Sequence, residues 1–207
     1  GLECLKIPSG EITNLPYLRK IGSYDMQIIL STGMAKLLEI QDALEVLESS
    51  GTSRKKVTIL HCNTEYPTPM VDVNLKAMLS IRDALGVDVG YSDHTLGIEV
   101  PIAAVALGAQ VIEKHFTISR ELKGVDQKAS IEPKEMKEFV QVLKDARLSL
   151  GSALKIQSPE EGETKKALRR SLVASRNLLA DEIISEDMIS VKRPGTGLST
   201  DYLPHIL

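Results

Sequence analysis

Short apolar runs alternate with longer amphipathic stretches over roughly the first 117 residues of this chain, and this rhythm restricts its fold more than any other feature. The apolar runs predict strands at residues 4–7, 27–30, 57–60, 87–91 and 110–112. Apolar residues at helical spacing predict helices at 36–49, 74–85, 99–107 and 133–150. A strand followed by a helix about every 25 to 30 residues is typical of βα units, which build a parallel sheet. The sequence therefore predicts an α/β fold.

Polar side chains follow nearly every predicted strand, and their distribution favours a closed barrel. They are Ser9, Glu11, Ser31, Thr32, His61, Asn63, Ser92, Asp93, His94, Glu113 and His115. An open sheet collects ligand groups at one switch point, whereas a (β/α)8 TIM barrel takes them from the ends of many strands. Such a barrel needs eight strands and about 250 residues. Because the chain starts at Gly1 rather than with Met, we expect it to be a fragment. In the parent protein, about three βα units are expected to precede Gly1.

The composition changes after residue 150 and divides the chain into three parts. Residues 1–150 are the predicted barrel portion, and residues 151–168, rich in Gly, Ser and Glu, are predicted to be a solvated linker. Residues 169–207 carry a strand signal at 170–174 and a turn with a short capped helix at 183–189. About 40 residues rarely support an independent core. We therefore expect this second domain to be incomplete or to pack against a partner.

The charge balance and the cysteine count exclude several classes of protein. Lys and Arg number 25 against 28 Asp and Glu, a formal net charge of −3. With no long block of like charge, neither a nucleic-acid platform nor a membrane-surface helix is expected. No signal pattern or apolar run of transmembrane length is present. Cys4 and Cys62 predict buried thiols in a reducing cytoplasm rather than a disulfide.

Two histidines follow neighbouring predicted strands, His94 after the fourth and His115 after the fifth. In a barrel both imidazoles would face the same mouth, where two neutral rings can hold a divalent metal and leave positions open for water or substrate. Asp93 and Glu113 would then orient the ligands or complete the metal shell. The alternative is that each histidine is only a polar surface residue, and spacing alone leaves both interpretations open.

Two loops combine polar side chains with glycine, a composition that suits an anion. Residues 6–11 (KIPSGE) follow the first strand, and residues 31–33 (STG) follow the second. Lys6 supplies a charge for phosphate or carboxylate, Ser9 and Ser31 supply hydroxyls, and glycine lets the backbone approach a ligand closely. The alternative for each segment is a simple turn. If both loops lie at the same face, they form one candidate substrate site.

Two further loops carry candidate ligand-binding side chains. After the third strand, Asn63, Thr64 and Tyr66 either meet a polyhydroxylated ligand or belong to a proline-stiffened turn with the tyrosine packed on the core. Cys62 and the histidine before it do not form a nucleophilic pair, because adjacent strand residues point to opposite faces. Asp126, after the last strand, is either a solvated carboxylate or a group that binds sugar hydroxyls or transfers a proton.

Taken in order, several of these motifs resemble the N-acetylneuraminate (sialic acid) synthase family, which includes the legionaminic and pseudaminic acid synthases. They are KIPSGE (6–11), ILSTGM (29–34), LHC with YPTP (60–62 and 66–69), GYSDHT (90–95), EKHFT (113–117) and VKRPG (191–195). The resemblance covers nearly the whole chain. It implies a (β/α)8 barrel joined to a small antifreeze-like (SAF) domain, here partial, in a domain-swapped homodimer.

The resemblance also implies a reaction and residue roles. Family members condense phosphoenolpyruvate with open-chain N-acetylmannosamine or a related N-acetylated amino sugar, giving a nine-carbon 2-keto acid and phosphate. His94 and His115 match the ligands of Mn²⁺ or Mg²⁺. The residues that match the phosphoenolpyruvate contacts are Lys6, Ser9, Ser92 and the polar group after Cys62 (Asn63 or Thr64). Those that match positions facing the sugar and the proton transfers are Glu11, Tyr66 and Asp126. Arg193 matches an arginine that reaches the partner's sugar. Glu11, His94, His115 and Asp126 are thus the predicted catalytic residues.

Two other functions stay open from the sequence. A metal-dependent barrel hydrolase would need a third or fourth strong metal ligand, and no other predicted strand end supplies one. A catalytically incomplete structural fragment is the non-enzyme alternative, because five parallel strands leave two unpaired edges that favour association. Thr64 also stands where some relatives carry asparagine, which leaves the phosphoenolpyruvate contact at that position open.

Overall fold

The structure, a computed structural model, describes residues 1–194 and 196–207. It divides into two compact units, Gly1–Gly151 and Ser152–Leu207. In the part of the chain that the structure describes, no helix combines the length and the apolar character needed to span a bilayer.

Five parallel strands form the sheet of the first unit. They are β1 (Cys4–Ile7), β2 (Gln27–Ser31), β3 (Val57–His61), β4 (Asp88–Asp93) and β5 (Ile112–Lys114). Their spatial order is β1-β2-β3-β4-β5, each strand parallel to the next. A doubly wound sheet reverses its order at a switch point, and this sheet never does. Because βα crossovers are right-handed, the helices lie on one face, which confirms five consecutive units of a TIM barrel.

Five helices accompany these strands: α1 (Leu15–Gly22), α2 (Leu37–Ser49), α3 (Lys76–Leu85), α4 (Glu99–Ala106) and α5 (Pro133–Ser149). The sequence analysis did not predict α1, although its start signal is present. The Asn14 side chain accepts a hydrogen bond from the Tyr17 backbone N–H at 3.3 Å, and a proline stands in the first turn. Gly86, at φ +63°, ends α3 in the left-handed conformation that glycine adopts without strain.

The buried core lies between the sheet and the helices. Alternate strand residues such as Ile28 and Leu30 of β2 and Ile59 of β3 pack with Leu44 and Leu47 of α2. Side chains alternate across a strand, so the residues between them face the opposite, concave side of the sheet. The polar residues at the strand ends therefore collect on that side.

Gly90 on β4 has no room for a side chain. A Cβ there would lie 2.4 Å from the Val111 carbonyl oxygen and 2.6 Å from Leu60 Cδ2. That carbonyl accepts the Tyr91 backbone N–H at 2.9 Å and cannot retreat without weakening the ladder. We expect Gly90→Ala to lower the free energy of unfolding by about 1–3 kcal/mol, measured by chemical denaturation. The matched control is Gly10→Ala, where a Cβ meets nothing within 4 Å; equal losses in the two variants would contradict this account.

The second unit contains a small antiparallel sheet. Its strands are β6 (Ser171–Ala174), β7 (Ile189–Lys192) and β8 (Leu198–Ser199), in the order β7-β6-β8, with helices α6 (Pro159–Leu168) and α7 (Leu203–Ile206). The turn and short capped helix predicted at 183–189 correspond to a single 3-10 turn, Glu186–Met188, which lacks a side-chain capping hydrogen bond and leads directly into β7.

The segment predicted to be a linker, 151–168, contains helix α6. The Ser158 hydroxyl accepts the Glu161 backbone N–H at 3.2 Å, and the Glu161 carboxylate accepts the Ser158 backbone N–H at 2.7 Å. This reciprocal capping box satisfies two free donors at the helix start and was readable as S-x-x-E. The helix buries no residue, so the acidic stretch is solvated as predicted but is not irregular.

Two sequence predictions need correction in the first unit. Cys4 is exposed, whereas a buried thiol was predicted, because it lies on β1, which pairs in the described sheet with β2 alone. Cys62 is buried, as predicted. The last strand runs over Ile112–Lys114 rather than 110–112, so Glu113 belongs to the strand itself.

Candidate functional site

A cavity of about 390 Å³ opens where the carboxyl ends of the five strands meet. Its lining residues are Lys6, Pro8, Ser9, Gly10, Ser31, Met34, Cys62, Thr64, Tyr66, Ser92, His94, Glu113 and His115. Side chains predicted at five separate strand ends thus come together at one place. Because parallel strands end at the same edge, this convergence follows from the strand order.

Three aromatic rings form one wall of the cavity. The His94 and His115 ring centroids are 5.1 Å apart and the rings meet edge to face. The Tyr66 ring lies 4.2 Å from His94 and 5.4 Å from His115. The two histidines are neighbours because Asp93 and Lys114 are register partners on β4 and β5, and each histidine follows one of them. The separation is compatible with one cation held between the rings, each metal–nitrogen bond being about 2.1 Å.

The hydrogen bonding of His94 fixes its tautomer. Its Nδ1 lies 2.6 Å from the Asn63 carbonyl oxygen, which can only accept. Nδ1 therefore carries the hydrogen and Nε2 keeps a free lone pair. Burial lowers the pKa of His94, an effect that the nearby His115 reinforces and the bond to Asn63 opposes. The ring is thus neutral near pH 7, the form that binds a metal.

The donor set fits a divalent metal that keeps open coordination positions. Two imidazoles line one cavity, and the Nε2 of His94 keeps a lone pair of the kind that binds a metal. Within residues 1–194 and 196–207, no group of three or more His, Cys, Asp or Glu side chains is arranged to hold a metal ion. Closed structural zinc sites use four protein ligands. Two imidazoles alone do not make such a closed structural site.

A polar network crosses the concave face beneath the rings. Ser92 Oγ donates to Glu113 Oε1 at 2.7 Å, and Glu113 Oε2 lies 3.5 Å from Lys6 Nζ. The Lys6 and Glu113 side chains are 35% and 39% exposed, so water screens their attraction and an anionic ligand can compete for the ammonium. Sequence reasoning considered Glu113 only as a companion of the metal ligands. The two-residue spacing between Glu113 on β5 and His115 just after it could have placed both side chains on the same face.

Ser9 and Ser31, after β1 and at the end of β2, line the cavity and differ in the hydrogen bonding of their hydroxyls. Ser31 Oγ is buried and has no hydrogen-bond partner among the residues that the structure describes. Ser9 Oγ accepts the Gly33 backbone N–H at 2.9 Å and lies 3.5 Å from Cys62 Sγ. A buried hydroxyl without a partner is costly unless a ligand or water satisfies it. Ser31 therefore marks a position where a polar ligand atom would bind.

Asn63 does not line the cavity, and Thr64 does. The Asn63 side-chain amide donates to the Asp72 backbone oxygen at 2.7 Å and holds the loop after β3. The sequence left open which of these two polar groups follows Cys62 into the site. The structure places the threonine there because the asparagine is used within its own loop.

Glu11 and Asp126 also lie outside the cavity lining, and Arg193 belongs to the second unit. Glu11 ends the 3-10 turn that begins at Ser9, and its carboxylate accepts the Asn14 side-chain amide at 2.6 Å. Asp126 Oδ2 is 3.9 Å from Nδ1 of His115, which places it beside the rings. Arg193 is exposed and directly follows β7 in the second unit.

Comparison with known proteins identifies the family. Residues 1–155 match the NeuB family, and residues 169–207 match the SAF domain. The chain belongs to the NeuB family. This confirms the resemblance inferred from the motifs, since relatives of this NeuB chain carry the names of sugar acid synthases.

Three similar proteins show the extent of the match. The N,N'-diacetyllegionaminic acid synthase of Campylobacter jejuni is 52% identical over 199 residues, 96% of this NeuB chain and 60% of the relative. The enzyme of the same name from Legionella pneumophila is 44% identical over 209 residues, which cover 100% of this chain and 59% of the relative. The sialic acid synthetase structure from Leptospira borgpetersenii superposes with a TM-score of 0.72 at 36% identity, over 79% of this chain and 56% of that one. The chain thus spans about three fifths of the length of the curated relatives it matches.

Proposed function

We propose that the complete protein containing this chain condenses phosphoenolpyruvate with an N-acetylated amino sugar and water, giving a nine-carbon 2-keto sugar acid and phosphate. The observation that carries the proposal is the cavity that joins a pair of imidazoles 5.1 Å apart with the Lys6 ammonium and the unpaired Ser31 hydroxyl. The names of the C. jejuni and L. pneumophila relatives favour a sugar with two acetamido groups.

His94 and His115 would hold Mn²⁺ or Mg²⁺ in this proposal. When bound, the metal supplies Lewis-acid polarisation of the sugar aldehyde. Lys6 binds the phosphate or carboxylate of phosphoenolpyruvate, and the hydroxyls of Ser9, Ser31 and Ser92 orient it. These contacts fix the enol carbon next to the aldehyde carbon, which replaces a costly encounter in solution with a prearranged one.

The bond changes require two proton transfers that side chains around the cavity can serve. C3 of phosphoenolpyruvate forms a bond to the aldehyde carbon, whose oxygen gains a proton. Water adds to C2 and loses a proton, and the bond between C2 and the phosphate oxygen then breaks as the new C2 hydroxyl passes its proton to the leaving phosphate and becomes the ketone. Glu11 and Asp126 are the proposed general acid and base, because Glu11 shares a 3-10 turn with Ser9 and the Asp126 carboxylate lies 3.9 Å from His115 Nδ1. Tyr66, packed on both imidazoles, would contact the sugar.

The assembly is also a proposal. Arg193 would bind the sugar held by a partner subunit in a domain-swapped homodimer, since it is an exposed cation directly after β7. The test mixes an inactive His115→Ala subunit with an Arg193→Ala subunit in the complete protein. Recovery of turnover in the mixed dimer supports a shared site, and no recovery contradicts it.

The decisive assay incubates the complete product of the gene that encodes this chain with phosphoenolpyruvate, Mn²⁺ and a panel of amino sugars. We expect phosphate release that depends on an N-acetylated sugar, fastest with a diacetylated one, and a nine-carbon keto acid detected by mass spectrometry. Phosphate release without any sugar would instead indicate a metal-dependent hydrolase. No release with any sugar would contradict the proposal.

A further inference from the structure

A buried ion pair lies directly behind the two imidazoles. Lys114 Nζ is 2.5 Å from Asp93 Oδ2, and the two side chains are 5% and 0% exposed. The ammonium also donates to the Thr95 backbone oxygen at 2.8 Å. The other carboxylate oxygen, Oδ1 of Asp93, accepts the Thr95 backbone N–H at 3.0 Å and its hydroxyl at 2.7 Å. Both charged groups therefore have several partners in the interior.

The location of this pair ties it to the histidines. Asp93 and Lys114 form the last register pair between β4 and β5, and His94 and His115 are the next residue of each strand. In the described part of the chain, the β4–β5 ladder ends at that pair. His94 stands between Asp93 and Thr95, and both of these residues accept a hydrogen bond from the Lys114 ammonium. The Thr95 backbone N–H also donates to the Asp93 carboxylate. The ion pair thus links β4 to β5 at the residue that directly precedes each histidine.

Stability alone is a poor explanation for such a pair. Taking two charges out of water costs about as much as their attraction returns, and packed apolar residues of similar size often stabilise a protein at least as well. A hydrogen-bonded ion pair also fixes the distance and relative orientation of the two backbone segments that carry its side chains. Groups that orient metal ligands from behind commonly control metal affinity.

We propose that Asp93 and Lys114 are positioning residues that set the separation and orientation of His94 and His115. The inference rests on the proposed function only where it concerns metal, because the ring separation is a property of the chain itself. It follows that removing the pair loosens the imidazoles and weakens their joint hold on a divalent ion, even where the fold survives.

The test uses the complete protein with the double substitution Asp93→Asn and Lys114→Met, which leaves no buried charge without a partner. We expect the Mn²⁺ dissociation constant, read from the electron paramagnetic resonance signal of free Mn²⁺, to rise about tenfold or more. We also expect a crystal structure of the metal-free variant to show a changed separation of the two rings from 5.1 Å.

The matched control is Arg54→Met, which removes another ion pair that also bonds a backbone oxygen, with Glu48 at 2.7 Å and the Leu85 oxygen at 2.9 Å. Arg54 precedes β3 and lies at the opposite end of the sheet, so Mn²⁺ affinity should not change. A folded double variant with native Mn²⁺ affinity and native ring separation would overturn the inference. If His115→Ala leaves Mn²⁺ binding of the native protein unchanged, the metal proposal fails instead, and the ring separation still decides the positioning role.

Discussion

Replacing either His94 or His115 with alanine in the complete protein is expected to reduce metal-dependent phosphate release by at least about a thousandfold. Metal polarisation of a carbonyl contributes several kcal/mol to the transition state, and each 1.36 kcal/mol corresponds to a factor of ten. Because the two rings stand 5.1 Å apart and face the same cavity, loss of one removes half of the proposed ligand set. The measurement is the rate of phosphate release at saturating Mn²⁺.

The double substitution sharpens that experiment. Residues that act as one unit are not additive, so His94→Ala with His115→Ala should be about as slow as either single variant. His205→Ala is the matched control, because His205 is exposed on α7 in the second unit. An unchanged rate for His115→Ala at saturating Mn²⁺ would reject the assignment.

Lys6→Met is expected to lower kcat/KM for phosphoenolpyruvate by about a hundredfold. A hydrogen bond to a charged group contributes about 1.5–3 kcal/mol, and methionine keeps the length of the side chain without the charge. The loss should appear mainly in KM, since the ammonium binds the anion before and during the reaction. Steady-state kinetics with varied phosphoenolpyruvate at saturating sugar and Mn²⁺ gives both constants.

Lys55→Met controls for the loss of one positive charge. Lys55 lies in the turn before β3, at the far end of the sheet from the cavity. Its substitution should leave both constants unchanged. If Lys6→Met and Lys55→Met behave alike, the Lys6 ammonium does not bind the substrate.

Much of the fold was predictable because it depends on local patterns. The apolar runs of β2 and β3 and the helical period of α2 are readable from single segments, and parallel pairing follows from their alternation. The predicted meeting of His94 and His115 required only that both follow neighbouring parallel strands. That information is contained in the order of the elements.

The features that were missed depend on pairing and on loop geometry. The contact between Asp93 and Lys114 needs the register of β4 against β5, and the predicted β5 ends two residues too early to include Lys114. The choice between Asn63 and Thr64 is decided by a hydrogen bond to the Asp72 backbone, nine residues further along the chain. The exposure of Cys4 depends on which strands flank β1. None of these is encoded in a short stretch of residues.

The hydrogen bond between the Asn63 carbonyl and His94 couples the conformation of the loop after β3 to the orientation of the His94 imidazole. The loop that supplies this carbonyl also carries Thr64 and Tyr66 into the cavity. Under the proposed function, redesigning that loop to accept a different sugar would shift the carbonyl and turn the imidazole with it. Attempts to retarget selectivity there should therefore be screened over a range of Mn²⁺ concentrations, because variants discarded as inactive at one concentration can be recovered at a higher one.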